Sequence, residues 1–337
     1  MKKEPETKDY HFLFVISVLL VLSVAITYFF EKLSDRFVPE PAALPAEAGS
    51  LETRDLIMSE VLTNNGGVYI SEDGLCCDFV EIYNGGADTV NLQGYGLSDR
   101  DYRVKWAFPD VEIKPGEYIV VNLTGKEQSG LNASFKLASK GSEQLVLVNN
   151  KGKIIDALTL PALGKNQSLI RDNAKWVMTD SPTPGFENSL KGLESYRDSL
   201  LSQDGSALKV NELLCKNSGN YVNEFGRFDG YVELINASEE YISMSDYYLS
   251  NDISSPFKMR LPEYVLAPGE IYLFYTGDNT YAQNRYTGFS FQNKTGSVFI
   301  SKNGKIVSKT DYENLPNGSA YLRHDDGMYY EIGRAHV

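Results

Sequence analysis

An all-β fold, with two tandem β-sandwiches carried behind one N-terminal membrane helix, is the architecture the sequence predicts. Three observations predict it. Residues Phe12 to Phe30 form an uncharged apolar run. The remainder is divided into short alternating runs by Asn-Gly, Gly-Gly and Pro-Gly turns. Its landmarks then repeat at an offset of 152 residues.

Composition sets the outer limits. The chain has 337 residues, 42% hydrophobic and 23% charged, which is ordinary globular usage and enough for two folded domains. Lys and Arg total 32 against 45 Asp and Glu, for a net charge of −13. That balance disfavours nucleic acid as a partner, because counterion release needs clustered cations. Three His and three Cys exclude a His-rich metal site and a disulfide-dense scaffold.

The apolar run FLFVISVLLVLSVAITYFF covers 19 residues. As a helix it extends ~28 Å, close to the ~30 Å hydrocarbon core of a bilayer. A cleaved signal peptide has a shorter apolar stretch followed by small residues. Here Tyr28, Phe29, Phe30, Glu31 and Lys32 follow instead. The expectation is an uncleaved anchor over 12–30, with residues 1–11 as a cytoplasmic stub. Lys2, Lys3 and Lys8 favour an N-terminus inside and the bulk of the chain outside the cell membrane. Residues 31–53 contain VPEPAALPAEA and read as a semi-rigid stalk.

Two segments follow, 54–188 and 207–330. MSEVL at 58–62 faces VNELL at 210–214, and FVEIYN at 79–84 faces YVELIN at 231–236. LSD at 97–99 faces LSN at 249–251, NKGKIID at 150–156 faces KNGKIVS at 302–308, and Arg171 faces Arg323. KPGEYIVV at 114–121 and APGEIYLF at 267–274 drift by one residue, as a small loop insertion would cause. Within FVEIY, Val80 and Ile82 alternate with Phe79, Glu81 and Tyr83, the period of a strand. Several such short strands in about 130 residues predict a sandwich. Between the two segments, 189–206 is read as a linker, with a possible helix over Leu190 to Ser202.

The first segment reads IMSEVL, DFVEIYN, VNLQGYGLSD, KWAFPD, IKPGEYIVV, NASFKLASKGSEQLVLVNNKGKIID and TPGFEN in succession. In that order the pieces resemble the lamin tail domain, including its bacterial extracellular versions. The resemblance implies an immunoglobulin-like β-sandwich and a non-catalytic interaction module with no active-site residues to carry over. No heptad rod is present, so a nuclear lamin is excluded. The second segment matches more loosely, since Trp106 has no Trp counterpart and no TPGFEN is visible. The final residues, EIGRAHV, resemble an in-frame translation of a sequencing adapter. The offset would put the partner of Thr183-Pro184-Gly185 at 335–337. The expectation is a second sandwich cut before its closing motif, with 331–337 as an artefact.

Candidate chemistry is sparse. His324 sits in a polar run and has no nucleophile motif to serve. Glu60, Glu81, Glu212 and Glu233 recur across the offset and are read as sheet-surface or hydrogen-bonded structural groups. Asp99, Asp101, Asn251 and Asp252 lie in acidic loops where Ca²⁺ is conceivable, but turn capping explains them. Cys76, Cys77 and Cys215 give no disulfide framework, because adjacent cysteines form no unstrained bridge. The Tyr247-Tyr248 and Tyr329-Tyr330 pairs are read first as sheet packing and second as a ligand platform. Six sequons stand at Asn122, Asn132, Asn166, Asn236, Asn293 and Asn317. No catalytic, metal, cofactor or ligand residue is assigned. The reading is a surface binding or spacing module for an unknown protein or carbohydrate. The alternative is the anchor of a longer surface enzyme, a hydrolase or a spore-coat-H-like kinase, with its catalytic domain further along.

Overall fold

A computed structural model describes residues 56–324 and 329–332, apart from 101–102, 127, 173–174, 220 and 279–281. The expected anchor over 12–30 and the stalk lie outside the described residues. Among those described, no helix is long and apolar enough to cross a membrane.

The chain outlines its first sandwich with β1 (Ile57–Leu62), β2 (Asp78–Tyr83), β3 (Val90–Asn91), β4 (Gly96–Ser98), β5 (Trp106–Ala107), β6 (Glu112–Ile113), β7 (Tyr118–Leu123), β8 (Asn132–Ala133), β9 (Gln144–Val148), β10 (Ile154–Thr159), β11 (Ser168–Asp172) and β12 (Lys175–Thr179). One sheet runs β12-β11-β1-β2-β7-β8 and the facing sheet β10-β9-β4-β5, with a small β3-β6 ribbon at the side. Met58, Val80, Ile82 and Val121 from the first sheet meet Leu97, Leu145, Leu147 and Leu158 from the second in one apolar core. Facing sheets with interdigitated inner residues are the all-β sandwich that the alternating pattern predicted.

After helix α1 (Leu190–Leu200) come β13 (Leu208–Leu214), β14 (Tyr231–Asn236), β15 (Ile242–Ser243), β16 (Tyr247–Ser250), β17 (Met259–Arg260), β18 (Val265–Leu266), β19 (Ile271–Tyr275), β20 (Thr295–Lys302), β21 (Lys305–Glu313), β22 (Ala320–Arg323) and β23 (Tyr329–Ile332). Their sheets run β19-β14-β13-β22-β23 and β17-β16-β20-β21, with β15-β18 as the side ribbon. Strand by strand this is the order of the first sandwich without β8. Strand β23 includes Glu331 and Ile332, the first two residues of the adapter-like tail.

A buried ion pair ties the two sheets of the first sandwich together. Arg171 on β11 donates from Nη2 to both Asp156 oxygens on β10, at 2.9 and 2.6 Å. Arg171 Nε also donates to the Met58 carbonyl at 3.0 Å, and the Met58 N–H donates to Asp156 Oδ2 at 2.9 Å. The guanidinium stacks 4.6 Å from the Trp176 ring centroid. Each charge here is answered, so ion pairing and hydrogen bonds offset the desolvation cost of burying the pair beside the strand irregularity between Ile154 and Asp156. In the second sandwich, Ser308 stands at the Asp156 position.

The described residues of the two sandwiches dock within one compact unit. Val68 and Ile70 from the loop after β1, Tyr196 and Leu200 from α1, and Tyr248, Phe257, Phe299 and Ile306 from the second sandwich form a shared apolar cluster. Polar bonds frame it. Tyr196 Oη donates to the Val68 carbonyl at 2.7 Å, the Phe257 N–H to the Gly67 carbonyl at 3.0 Å, and Arg197 Nη2 to Ser254 Oγ at 2.9 Å. The 189–206 segment is therefore a packed wedge, and the sandwiches are held rather than loosely strung.

Two substitutions test this account. Asp156→Asn should lower stability by about 3–5 kcal/mol, because it leaves Arg171 buried without its charge partner; urea unfolding is the measurement. Gly67 has φ +105°, and a Cβ there would lie 2.6 Å from the Phe257 carbonyl carbon. Gly67→Ala should therefore loosen the docking and expose 189–206 to limited proteolysis, leaving each sandwich folded.

Candidate functional site

The four recurring glutamates are the most unusual chemistry in the molecule. Glu60 on β1 pairs directly across from Glu81 on β2, next to a register shift between Met58 and Glu60. The shift is a β-bulge that leaves Ser59 unpaired and sets the two carboxylates side by side. Both are 0% exposed. The alternating pattern placed Glu81 on the face away from the core, and the structure covers that face too.

The cover is the TPGFEN segment. The Thr183 N–H and hydroxyl donate to Glu60 Oε2 at 3.1 and 3.3 Å, and the Gly185 N–H donates to Glu81 Oε2 at 2.6 Å. Ser59 Oγ donates to Glu81 Oε1 at 2.6 Å, and Asn188 Nδ2 to the Ser59 carbonyl at 3.0 Å. Gly185 lies at φ +85°, a turn geometry open to glycine. Ser189 follows at once as the N-cap of α1, its Oγ accepting from the Gly192 N–H at 3.0 Å. The motif thus seals the acids and launches the helix in a single turn.

Burial is the main influence on both carboxyls. It pushes Glu60 up to about 7, against the opposing pull of Ser168 and Thr183. Burial, with the neighbouring Glu60 charge added, holds Glu81 well above the ordinary carboxylate range. Such a pair has the proton affinity of a catalytic acid. It lacks access, because the 183–188 cover stands between it and solvent.

In the second sandwich Glu212 again faces Glu233 beside a shift between Val210 and Glu212. Here Tyr231, at the Phe79 position, donates its hydroxyl to Glu212 Oε1 at 2.6 Å. Asn211, at the Ser59 position, donates to Glu233 Oε2 at 2.9 Å. Glu212 is buried and Glu233 half-buried. The positions that correspond to the TPG cover, 335–337, lie outside the described residues.

The other candidates scatter. His324 is exposed after β22. Asp99 is held by Lys105 Nζ at 2.5 Å, and Asp252 Oδ1 accepts from the Ser254 N–H at 2.8 Å, so both are engaged within their loops. Asp101 lies outside the described residues. No His, Cys, Asp or Glu group with metal-binding geometry occurs among the described residues. Cys76, Cys77 and Cys215 are free thiols. Burial pushes Cys77 and Cys215 up to about 12, which disfavours thiolate chemistry. Tyr247 and Tyr248 are buried, Tyr247 in the second core and Tyr248 at the docking interface. The side chains of Tyr329 and Tyr330 lie outside the described residues. The sequon residues Asn122, Asn132 and Asn236 are buried and hydrogen-bonded, as turn and sheet residues rather than glycan acceptors.

Two asparagine hubs were missed by sequence reasoning. Asn65 shapes the docking loop, donating to the Tyr69 and Cys77 carbonyls at 2.6 and 2.7 Å and accepting from the Gly67 and Val68 N–H groups. Asn217, at the same offset, donates to the Tyr221 and Asp229 carbonyls. The signal was present as an Asn two residues before a Gly in each segment.

The fold and this sealed acid pair define an all-β, sandwich-like protein with carboxylates used as structural pins. The family model for the Lamin Tail Domain matches residues 50–161. That match covers the greater part of the first sandwich and about a third of the chain. No curated protein matches the chain. Two solved structures are similar at low level. One is the exo-β-D-glucosaminidase CsxA, described for its inhibition by a castanospermine and an australine analogue, at 16% identity and TM-score 0.16 over 69% of this chain. The other is the Amycolatopsis orientalis exo-chitosanase CsxA, at 17% identity and TM-score 0.17 over 70% of this chain. The chain spans 25% of each of those proteins, and likenesses this weak carry no argument.

The raised carboxyls set a pH dependence. A group that holds its proton more tightly folded than unfolded adds stability below its unfolded value, near pH 4.3, and loses it as pH rises through the folded value. Stability should fall between about pH 5 and about pH 8, by on the order of 3 kcal/mol for Glu60. Glu60→Gln should flatten that slope, as measured by urea midpoints across the pH range.

Proposed function

We propose that the chain is a membrane-anchored, extracellular binding and spacing module of bacterial type, with lamin-tail-like sandwiches at 54–188 and 207–330 and no catalysis of its own. The second copy is supported by the shared strand order, the two bulges and the two asparagine hubs, all at an offset of 152. The anchor at 12–30 is supported by its length and lack of charge. The partner is a protein or carbohydrate of the cell envelope, and the acidic balance disfavours nucleic acid.

The observation that carries binding over catalysis is the seal on Glu60 and Glu81. A general acid must reach the proton it transfers within about 3 Å of a bound substrate. Here the oxygens with raised proton affinity spend their hydrogen bonds on Thr183, Gly185 and Ser59 inside the fold.

The full chain, reconstituted in lipid nanodiscs, should bind an isolated envelope fraction saturably and without turnover. External protease on intact cells should remove 54–330 and spare an N-terminal tag. Hydrolysis of an envelope polymer that disappears in Glu60→Gln, with folding retained, would overturn the non-catalytic reading.

A further inference from the structure

The docking of the sandwiches creates a cleft of about 420 Å³, the size of pocket that holds a mono- or disaccharide-scale ligand. Its walls come from distant parts of the chain. The loop after β1 supplies Asn64 and Cys76, the turn before β11 supplies Lys165, and the segment into β17 supplies Lys258 and Arg260. No carboxylate lines it. This is unusual in a protein with 45 acidic against 32 basic residues.

Among the described residues none of the three cations makes an ion pair. Arg260 Nε donates to the Ser245 carbonyl at 2.9 Å, which fixes the guanidinium and leaves its outer edge open. Lys258 Nζ donates to Asn251 Oδ1 at 2.9 Å and sits 5.0 Å from the Phe289 ring centroid. Lys165 lies with its stem over Gly66 and is exposed. Several other surface cations are paired with a carboxylate. Lys105 pairs with Asp99, Arg227 with Asp229, Lys302 with Asp246 and Lys309 with Asp311. Beyond Leu75 and Cys76 a second recess of about 280 Å³ adds Lys126 and Lys136, with Asp78 as its one carboxylate.

We propose that this interdomain cleft binds a multivalent oxyanion, a phosphate or carboxylate group carried on a saccharide-sized ligand. An arginine edge flanked by Lys165 is the donor set that such groups select, since the guanidinium offers paired N–H bonds and the lysine a point charge, while Lys258, its ammonium held by Asn251 and Phe289, adds charge from the same wall. The site requires both sandwiches, because Lys165 belongs to the first and Lys258 and Arg260 to the second. Docking is thereby a condition of binding. The inference deepens the binding-module reading and rests on it.

The test titrates the full chain in nanodiscs with inorganic pyrophosphate and, separately, with citrate, by calorimetry at low and at physiological salt. The expected result is saturable binding that weakens with salt and falls roughly tenfold or more in the Lys165→Gln, Arg260→Gln double variant. Lys309→Gln, on β21 and paired with Asp311, should change nothing. Both targeted side chains are exposed, and an unchanged Tm verifies the fold; Lys165→Gln alone gives a second, milder variant. Binding of pyrophosphate alone assigns a phosphate source, and of citrate alone a carboxylate source. Binding of neither, or binding that ignores the double variant, overturns the cleft. A chain that still captures the envelope fraction while ignoring both anions would overturn this inference and leave the binding-module reading standing.

Discussion

Placing two carboxylates side by side inside a strand pair is the constraint on which the first sandwich is organised. A buried, unpaired carboxylate is expensive, and two are worse because each charge opposes the other. The bulge at Ser59 brings Glu60 and Glu81 together, so something must supply donors from outside the sheet. Thr183 and Gly185 do so, more than a hundred residues later in the chain. That requirement fixes the path of 183–188, places the Ser189 cap, and thereby aims α1. The helix then lays Tyr196 and Leu200 against the second sandwich. One local arrangement of acids is linked in this way to the relation between domains.

The second sandwich shows which parts of that logic are general. It keeps the bulge and the paired glutamates, yet answers them with Tyr231 and Asn211. Asp156 is replaced by Ser308, so no equivalent of the inter-sheet ion pair stands there. The topology survives both changes. Strand order follows from which faces are apolar, whereas the polar interior can be satisfied by different side chains as long as each acceptor finds a donor.

Much of the fold was legible in the sequence because its cause is local. Period-2 alternation in FVEIY and YVELIN marks strands, Asn-Gly and Pro-Gly mark their ends, and a fixed offset marks the repetition. What local pattern cannot show is the cover on a sheet's outer face. Glu81 sits where an alternating strand presents a polar residue to water, and only the later TPGFEN segment changes its surroundings. The same holds for Tyr248, read as one of a tyrosine pair on a strand and found at the docking interface. The cationic cleft was beyond reach for a stronger reason. Lys165 and Arg260 are unremarkable until two domains meet, and a net charge of −13 points away from any basic site.

The docking contact also has a direction. Gly67 and Ile70, covered by the second sandwich, correspond at the offset to Gly219 and Val222, and Val222 is 50% exposed. Among the described residues, the second unit thus leaves exposed a position that the first buries against its successor. A contact of this heterologous kind does not close on itself as a twofold dimer would. It gives the joint a leading unit and a trailing unit, so the two sandwiches are not interchangeable in it.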